Sequence, residues 1–221
     1  YNLAADPYRR WTNTNAFSMT WSSLADVSGI GGAYYKLNAE PAFKTDGTFM
    51  PSVTNVITNI TAPAEGKHTI YLWLRDQAGN ANHQMRNVLS EALWLDTTPP
   101  TTTHTLSGTL GLNGWYTAPV RIDLVGQDAL SGYAGSYYRL DDQTWTPSAT
   151  AVITTSDRHV VQYYSVDHAG NAEAPNSAFV RVDVDAPAAP LSLSVGQIGW
   201  QSLNSFTAAW TDPIDTSGIG A

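Results

Sequence analysis

The chain has 221 residues, enough for one large or two small domains, and 43% hydrophobic with 14% charged residues is a globular balance that excludes disorder of the whole chain. A net charge of −8 argues against nucleic acid or an anionic membrane as partner, because both require clustered Lys and Arg, and leaves divalent cations open. Cys is absent, no apolar run approaches the ~18 residues of a membrane span, and no charged-then-apolar leader opens the sequence, so disulfides, thiolate metal sites and membrane insertion are not expected.

Eight Trp and eleven Tyr beside three Met favour strands over helices. Trp11 precedes Phe17-Ser18-Met19-Thr20-Trp21, whose period-2 alternation predicts a half-buried strand. A turn over Asp26-Val27-Ser28-Gly29-Ile30 leads into a second strand, Ala33-Tyr34-Tyr35-Lys36-Leu37. The stretch from Ala39 to Pro51 reads as a loop by composition. From His68 to Leu74, Ile70, Leu72 and Leu74 alternate with Thr69, Tyr71 and Trp73, and the run ends in Asp76-Gln77-Ala78-Gly79-Asn80. That is turn chemistry: Asp caps backbone N–H groups two residues on, and Gly and Asn accept positive φ. Leu93 and Leu95 then precede Asp96-Thr97-Thr98-Pro99-Pro100, a stiff linker because proline cannot donate to a sheet ladder.

The same order returns. Trp115 is followed by Val120-Arg121-Ile122-Asp123-Leu124, Asp128-Ala129-Leu130-Ser131-Gly132, Tyr137-Tyr138-Arg139-Leu140, and a strand from His159 to Val166 that ends in Asp167-His168-Ala169-Gly170-Asn171. Val180, Val182 and Val184 lead to Asp185-Ala186-Pro187, read as the counterpart of Leu93, Leu95 and Asp96. Asp76 recurs as Asp167, 91 residues on, and the first copy is 12 residues longer between its Ser-Gly turn and this aspartate. A third copy opens with Phe206-Thr207-Ala208-Ala209-Trp210 and Asp215-Thr216-Ser217-Gly218-Ile219-Gly220. About seven short strands per repeat, with turn signals every ~8 to 12 residues, predict tandem immunoglobulin-like β-sandwiches. The expected boundaries are 1–96 for repeat 1, 97–185 for repeat 2 and 186–221 for the first strands of an incomplete repeat 3.

The strand-Asp-x-Ala-Gly-Asn turn, the Gly-Lys-His-Thr or Asp-Arg-His-Val run before that strand, the Ser-Gly turn and the closing Asp-x-x-Pro resemble the bacterial immunoglobulin-like repeats found in tandem in large cell-surface adhesins and as accessory modules of secreted enzymes. The resemblance covers nearly the whole chain. It implies an extracellular, cell-surface location and a non-enzymatic structural role as spacer, stalk or filament subunit. Because the same sandwich serves many purposes, a carbohydrate- or receptor-binding module is the alternative.

Three chemistries set candidate residues apart. No nucleophile-elbow, phosphate-loop, dinucleotide or His-Glu-x-x-His pattern occurs, and His68 and His159 share one repeat position as scaffold residues would, so no enzyme is expected. Asp141-Asp142 reads as a solvated turn. For ligand stacking, Trp94 and Trp145 are the candidates, since neither aligns with a second Trp; Trp145 is set against Phe43. For calcium, the B-to-C and F-to-G loops of such a sandwich lie where the chain enters, which places Asp128, Asp167 and Asn171 beside Asp96 of the incoming linker. The resemblance adds that some adhesin repeats bind calcium at such junctions; the plain alternative is that these acids only cap turns. No cofactor is otherwise required. The expected partners are neighbouring repeats or copies of the chain head-to-tail, with strands A and B of repeat 3 open and strand A of repeat 1 curtailed, or else a 221-residue piece of a longer array.

Overall fold

Alternation of apolar and polar side chains with period 2 leaves each segment one face to bury, and two such sheets face to face are the way to bury both. The computed structural model, which describes residues 11–22, 25–52, 54–196 and 199–218, carries this out twice. Residues 1–10, where a curtailed strand A is expected, and Ile219 and Gly220 of the third Ser-Gly turn lie outside the described residues. Among the described residues helix is confined to two three-residue 3-10 turns, His83–Met85 and Leu112–Gly114.

Repeat 1 contributes β1 (Phe17–Thr20), β2 (Ile30–Leu37), β3 (Thr48–Pro51), β4 (Val56–Ile60), β5 (Gly66–Asp76) and β6 (Asn87–Leu95). They form a two-stranded sheet, β1-β4, and a four-stranded sheet, β3-β2-β5-β6. The inward residues Ile57, Ile60, Ile70, Leu72 and Leu93 are buried with Trp21 and Ala33, and Leu74 packs against them. Each such aliphatic side chain withdrawn from water contributes on the order of 1.5–3 kcal/mol. Thr12 adds a parallel bridge to Leu95.

Repeat 2 contributes β7 (Thr101–Ser107), β8 (Trp115–Tyr116), β9 (Val120–Gln127), β10 (Tyr133–Leu140), β11 (Thr146–Pro147), β12 (Thr150–Ile153), β13 (Asp157–Asp167) and β14 (Asn176–Val182). The sheets β12-β9-β7 and β11-β10-β13-β14-β8 give the immunoglobulin-like arrangement, A-B-E against C′-C-F-G, with the short β8 crossing over to pair parallel with β14. Val120, Ile122 and Leu124 of β9 meet Val161 and Tyr163 of β13 and Val180 and Val182 of β14 in one buried cluster. Repeat 3 contributes β15 (Leu191–Val195) and β16 (Ala208–Thr211), an antiparallel pair whose residues are all exposed.

Contacts group the chain into two compact units. One is Tyr1–Thr101 with Gln127–Ala134 and Ser165–Glu173; the other is Thr102–Gly126, Gly135–Tyr164 and Ala174–Ala221. The Ser-Gly and Asp-x-Ala-Gly-Asn turns of repeat 2 thus belong to the first unit.

Two sequence expectations change. The stretch Ala39 to Pro51 is a loop only to Gly47, because Thr48–Pro51 forms edge strand β3 against β2; an edge tolerates proline because one side of its ladder is unpaired. The residue equivalent to Asp96 is Asp183, not Asp185. Leu95 bridges Thr12 as Val182 pairs with Tyr116, and the next amide donates in turn to the carbonyl of Thr12 (3.0 Å from Asp96 N) or of Tyr116 (2.8 Å from Asp183 N). Val182 is accordingly buried and Val184 exposed.

Candidate functional site

The two Asp-x-Ala-Gly-Asn turns fold alike, which shows how much of the site is local. In each, the Asp amide donates to the Asn carbonyl (3.0 Å for Asp76, 3.1 Å for Asp167), and the Asn returns its own amide and side-chain N–H to the two carboxylate oxygens. Gly79 and Gly170 sit at φ 94° and 91°, which the reversal requires and a side chain resists. The amide of the residue after the Asp then donates to the glycine of the Ser-Gly turn, Gln77 to Gly29 and His168 to Gly132.

Asp96 turns these loops into a site. It stands at the end of β6, fully buried, and its carboxylate accepts the Thr98 amide (3.1 Å) on one oxygen and the Ser131 amide (2.8 Å) on the other. Its carbonyl accepts the Asn171 side-chain N–H at 2.8 Å. Asp128 is half-buried and caps its own turn, accepting the amides of Leu130 (3.1 Å) and Gly132 (2.6 Å). Asp167 is 2% exposed. One carboxylate oxygen from each of Asp96, Asp128 and Asp167 lies within 4.8 Å of the others. All these residues fall in the first compact unit.

The four residues singled out as calcium candidates are therefore brought together, and Asn171 contributes side-chain hydrogen bonds to the cluster. Its amide nitrogen meets three acceptors, the carbonyls of Asp96 and Thr98 (3.5 Å) and the Asp167 carboxylate, so it serves as donor. Three carboxylates this close repel, and burial strengthens the repulsion; backbone N–H groups offset part of it, and a cation would remove the rest. Asp96 and Asp167 each spread their hydrogen bonds over both oxygens, which leaves lone pairs that suit a hard cation, whereas Asp128 Oδ1 is taken up by donors from Leu130, Ser131 and Gly132. Glu65 completes the surroundings: it accepts the amides and hydroxyls of the linker, Thr97 N–H at 2.7 Å and Thr98 O–H at 2.9 Å, and the Thr97 hydroxyl hydrogen bond leads the causes that hold its pKa below the ordinary value. A cavity of about 400 Å³ opens beside it, lined by Glu65, Asp96, Thr98, Gln127 and Asp128. Ser131, Thr98 and Glu65 escaped the sequence reading. Ser131 had a signal, since Ser28 and Ser217 recur in the same turn; Glu65 had none.

The stacking candidates have their rings engaged. Trp94 lies 5.5 Å from the Trp11 ring with Lys67 Nζ 4.2 Å from its centroid, and Trp145 meets Tyr164 edge-on at 4.8 Å with the Arg139 guanidinium 4.9 Å away. Strand register makes Trp145 the equivalent of Gly47, not of Phe43, because Thr146 pairs with Tyr138 as Thr48 pairs with Tyr35. Where repeat 1 has a large ring and no side chain, Trp73 and Gly47, repeat 2 has a smaller ring and a Trp, Tyr164 and Trp145. Tyr34 stacks on Trp73, and Tyr137 on Tyr164.

His68 and His159 are held by the scaffold. His68 Nδ1 bonds the Asn38 amide (2.9 Å) and Nε2 the Ala64 carbonyl (2.9 Å); His159 repeats this with the Asp141 carboxylate (2.6 Å) and the Thr155 carbonyl (2.9 Å). Asp141 sits in an exposed turn, as expected, and its carboxylate also accepts the Val160 amide. Burial pushes the His159 imidazole down, but the hydrogen bonds to Asp141 and Thr155 and the charges of Asp141 and Asp157 outweigh it and leave its pKa above the ordinary value.

No family model matches the chain, and no curated protein matches it. Among solved structures it is similar to the fibronectin(III)-like modules of Clostridium thermocellum CbhA, at 11% sequence identity and a TM-score of 0.38, covering 78% of this chain and 88% of that one. A likeness that weak bears no weight, and the fold rests on the strand order itself.

Proposed function

We propose that the chain is a non-enzymatic structural segment of an extracellular bacterial surface protein, with repeats that act as stiff spacers and an acidic joint that takes Ca²⁺. The observation that carries this reading is Asp96. A fully buried carboxylate that binds the linker amide of Thr98, the turn amide of Ser131 and, through its carbonyl, Asn171 leaves the linker little freedom. Engagement of His68, His159 and the aromatic rings in packing supports a structural role over a catalytic or sugar-binding one, and the sequence resemblance to surface repeats supports the location.

Calcium would sit among the oxygens of Asp96, Asp128 and Asp167, where it would offset three negative charges; carbonyls or water would complete the ~6 to 8 ligands it takes. The test has two arms. Backbone ¹⁵N relaxation of Thr97, Thr98 and Thr101 should match that of the strands in the intact chain, and coil-like mobility there would overturn the spacer reading. Thermal unfolding in Ca²⁺ against chelator should show a midpoint that climbs with the logarithm of Ca²⁺ concentration, because the ion stabilises only the state that binds it. An unchanged midpoint would remove the cation and leave the hydrogen-bonded joint.

A further inference from the structure

The closing aspartate makes the same contact twice. Asp96 accepts the amide of Ser131 (2.8 Å) and caps Thr98 two residues on (3.1 Å); Asp183 accepts the amide of Ser217 (3.0 Å) and caps Asp185 two residues on (3.2 Å). Ser131 and Ser217 hold one place in the sequence pattern, three and two residues after Asp128 and Asp215, and each turn is also closed by its own aspartate. Both closing aspartates are buried, and the hydrogen bonds from Ser217 lead the causes that hold Asp183 below the ordinary carboxylate pKa.

The second instance shows what the contact does not need. Every residue of β15 and β16 is exposed, so repeat 3 has no core of its own among the described residues, yet its Ser-Gly turn is seated on Asp183. In the first instance a core is present as well, and there the turns Gln127–Ala134 and Ser165–Glu173 of repeat 2 group with residues of repeat 1.

We infer that the closing aspartate of each repeat is a template that fixes the Ser-Gly turn of the next, and that repeats 1 and 2 therefore unfold as one cooperative unit. The turn joins β9 to β10, which lie in opposite sheets of the repeat 2 sandwich, so its conformation sets how those sheets close. Fixing it in advance removes part of the loop entropy that a sandwich of non-local contacts must otherwise overcome. The dependence runs from the N-terminal repeat to the C-terminal one. It goes beyond stiffness, and it needs only the hydrogen bonds, whether or not calcium binds.

The test follows the two repeats separately in the whole chain, with chelator present, using ¹⁹F-labelled tryptophan and the resonances of Trp73 for repeat 1 and Trp145 for repeat 2. In the wild type the two thermal unfolding curves should superimpose. Asp96→Ala should part them by more than about 4 °C, with Trp145 lost first, a separation readily resolved for domains of this size. Asn171→Ala, which removes the donor to the Asp96 and Thr98 carbonyls, provides the same reading should Asp96→Ala fail to fold. Asn80→Ala, in the equivalent turn of repeat 1, should lower the curves without parting them. Wild-type curves that are already separate, or variant curves that fall together in Asp96→Ala and Asn171→Ala, would overturn the inference.

Discussion

Gly47→Ala tests whether the aromatic cluster of repeat 1 is packing with no room to spare. A Cβ at position 47 would lie 2.5 Å from Trp73 Cη2 and 2.6 Å from the Tyr35 carbonyl oxygen, where ordinary contacts are ~3.5 to 4 Å. Trp73 cannot swing aside cheaply: it is 1% exposed, stacks on Tyr34 at 5.5 Å, and donates its indole N–H to the Lys44 carbonyl at 2.9 Å. Overpacking of this kind costs about 1–3 kcal/mol, and two simultaneous overlaps put Gly47→Ala at about 2–3 kcal/mol. Gly135→Ala is the matched control, because a Cβ there meets nothing within 4 Å; it should be neutral or stabilising by up to ~1 kcal/mol through the unfolded state. Trp73→Tyr, the ring repeat 2 uses, removes one of the two overlaps, so the double variant should fall short of additivity by roughly 1 kcal/mol. Urea unfolding followed by far-UV circular dichroism measures all four variants. If Gly47→Ala lies within about 0.5 kcal/mol of the wild type, or the cycle is additive, the packing account of these rings is wrong and Trp73 has slack that a ligand could use.

Two further outcomes are expected. His159, whose folded pKa is raised, contributes stability that is fully present below its unfolded value of about 6.5 and lost as pH rises through the folded value; the difference in urea midpoint between wild type and Asp141→Asn should therefore shrink from pH 6 to pH 8.5, and a constant difference would sink this assignment. Chymotrypsin under native conditions should cut first beside Trp200, Leu203 and Phe206, all largely exposed, long before Trp21 or Trp73; equal resistance of that region would show that something covers β15 and β16.

What the sequence determined by itself was everything that depends on a few neighbouring residues. Alternation put Ile70 and Leu72, Val120 and Ile122, and Val180 and Val182 on buried faces, because successive strand side chains point to opposite sides whatever the partner. Asp-x-Ala-Gly-Asn closed its own turn in both copies, since the capping bonds lie within five residues. The convergence of Asp96, Asp128 and Asp167 was also legible, as a consequence of which loops share an end of the sandwich.

Only the tertiary structure decided register, the orientation of polar side chains and the partners of lone residues. Asp183 and Asp185 both follow a valine with period 2, and nothing local tells them apart; the parallel pairing of Val182 with Tyr116, from 66 residues earlier, makes Asp183 the closing aspartate. Thr48–Pro51 is four residues long and closed by proline, too short to declare itself a strand without β2 beside it. The Asn171 side-chain nitrogen faces the carbonyls of Asp96 and Thr98 and the Asp167 carboxylate, partners up to 75 residues away that no local pattern names. The equivalence of Trp145 to Gly47 in place of Phe43 likewise follows from the registers of β11 on β10 and of β3 on β2, hydrogen-bond patterns that composition and spacing do not contain.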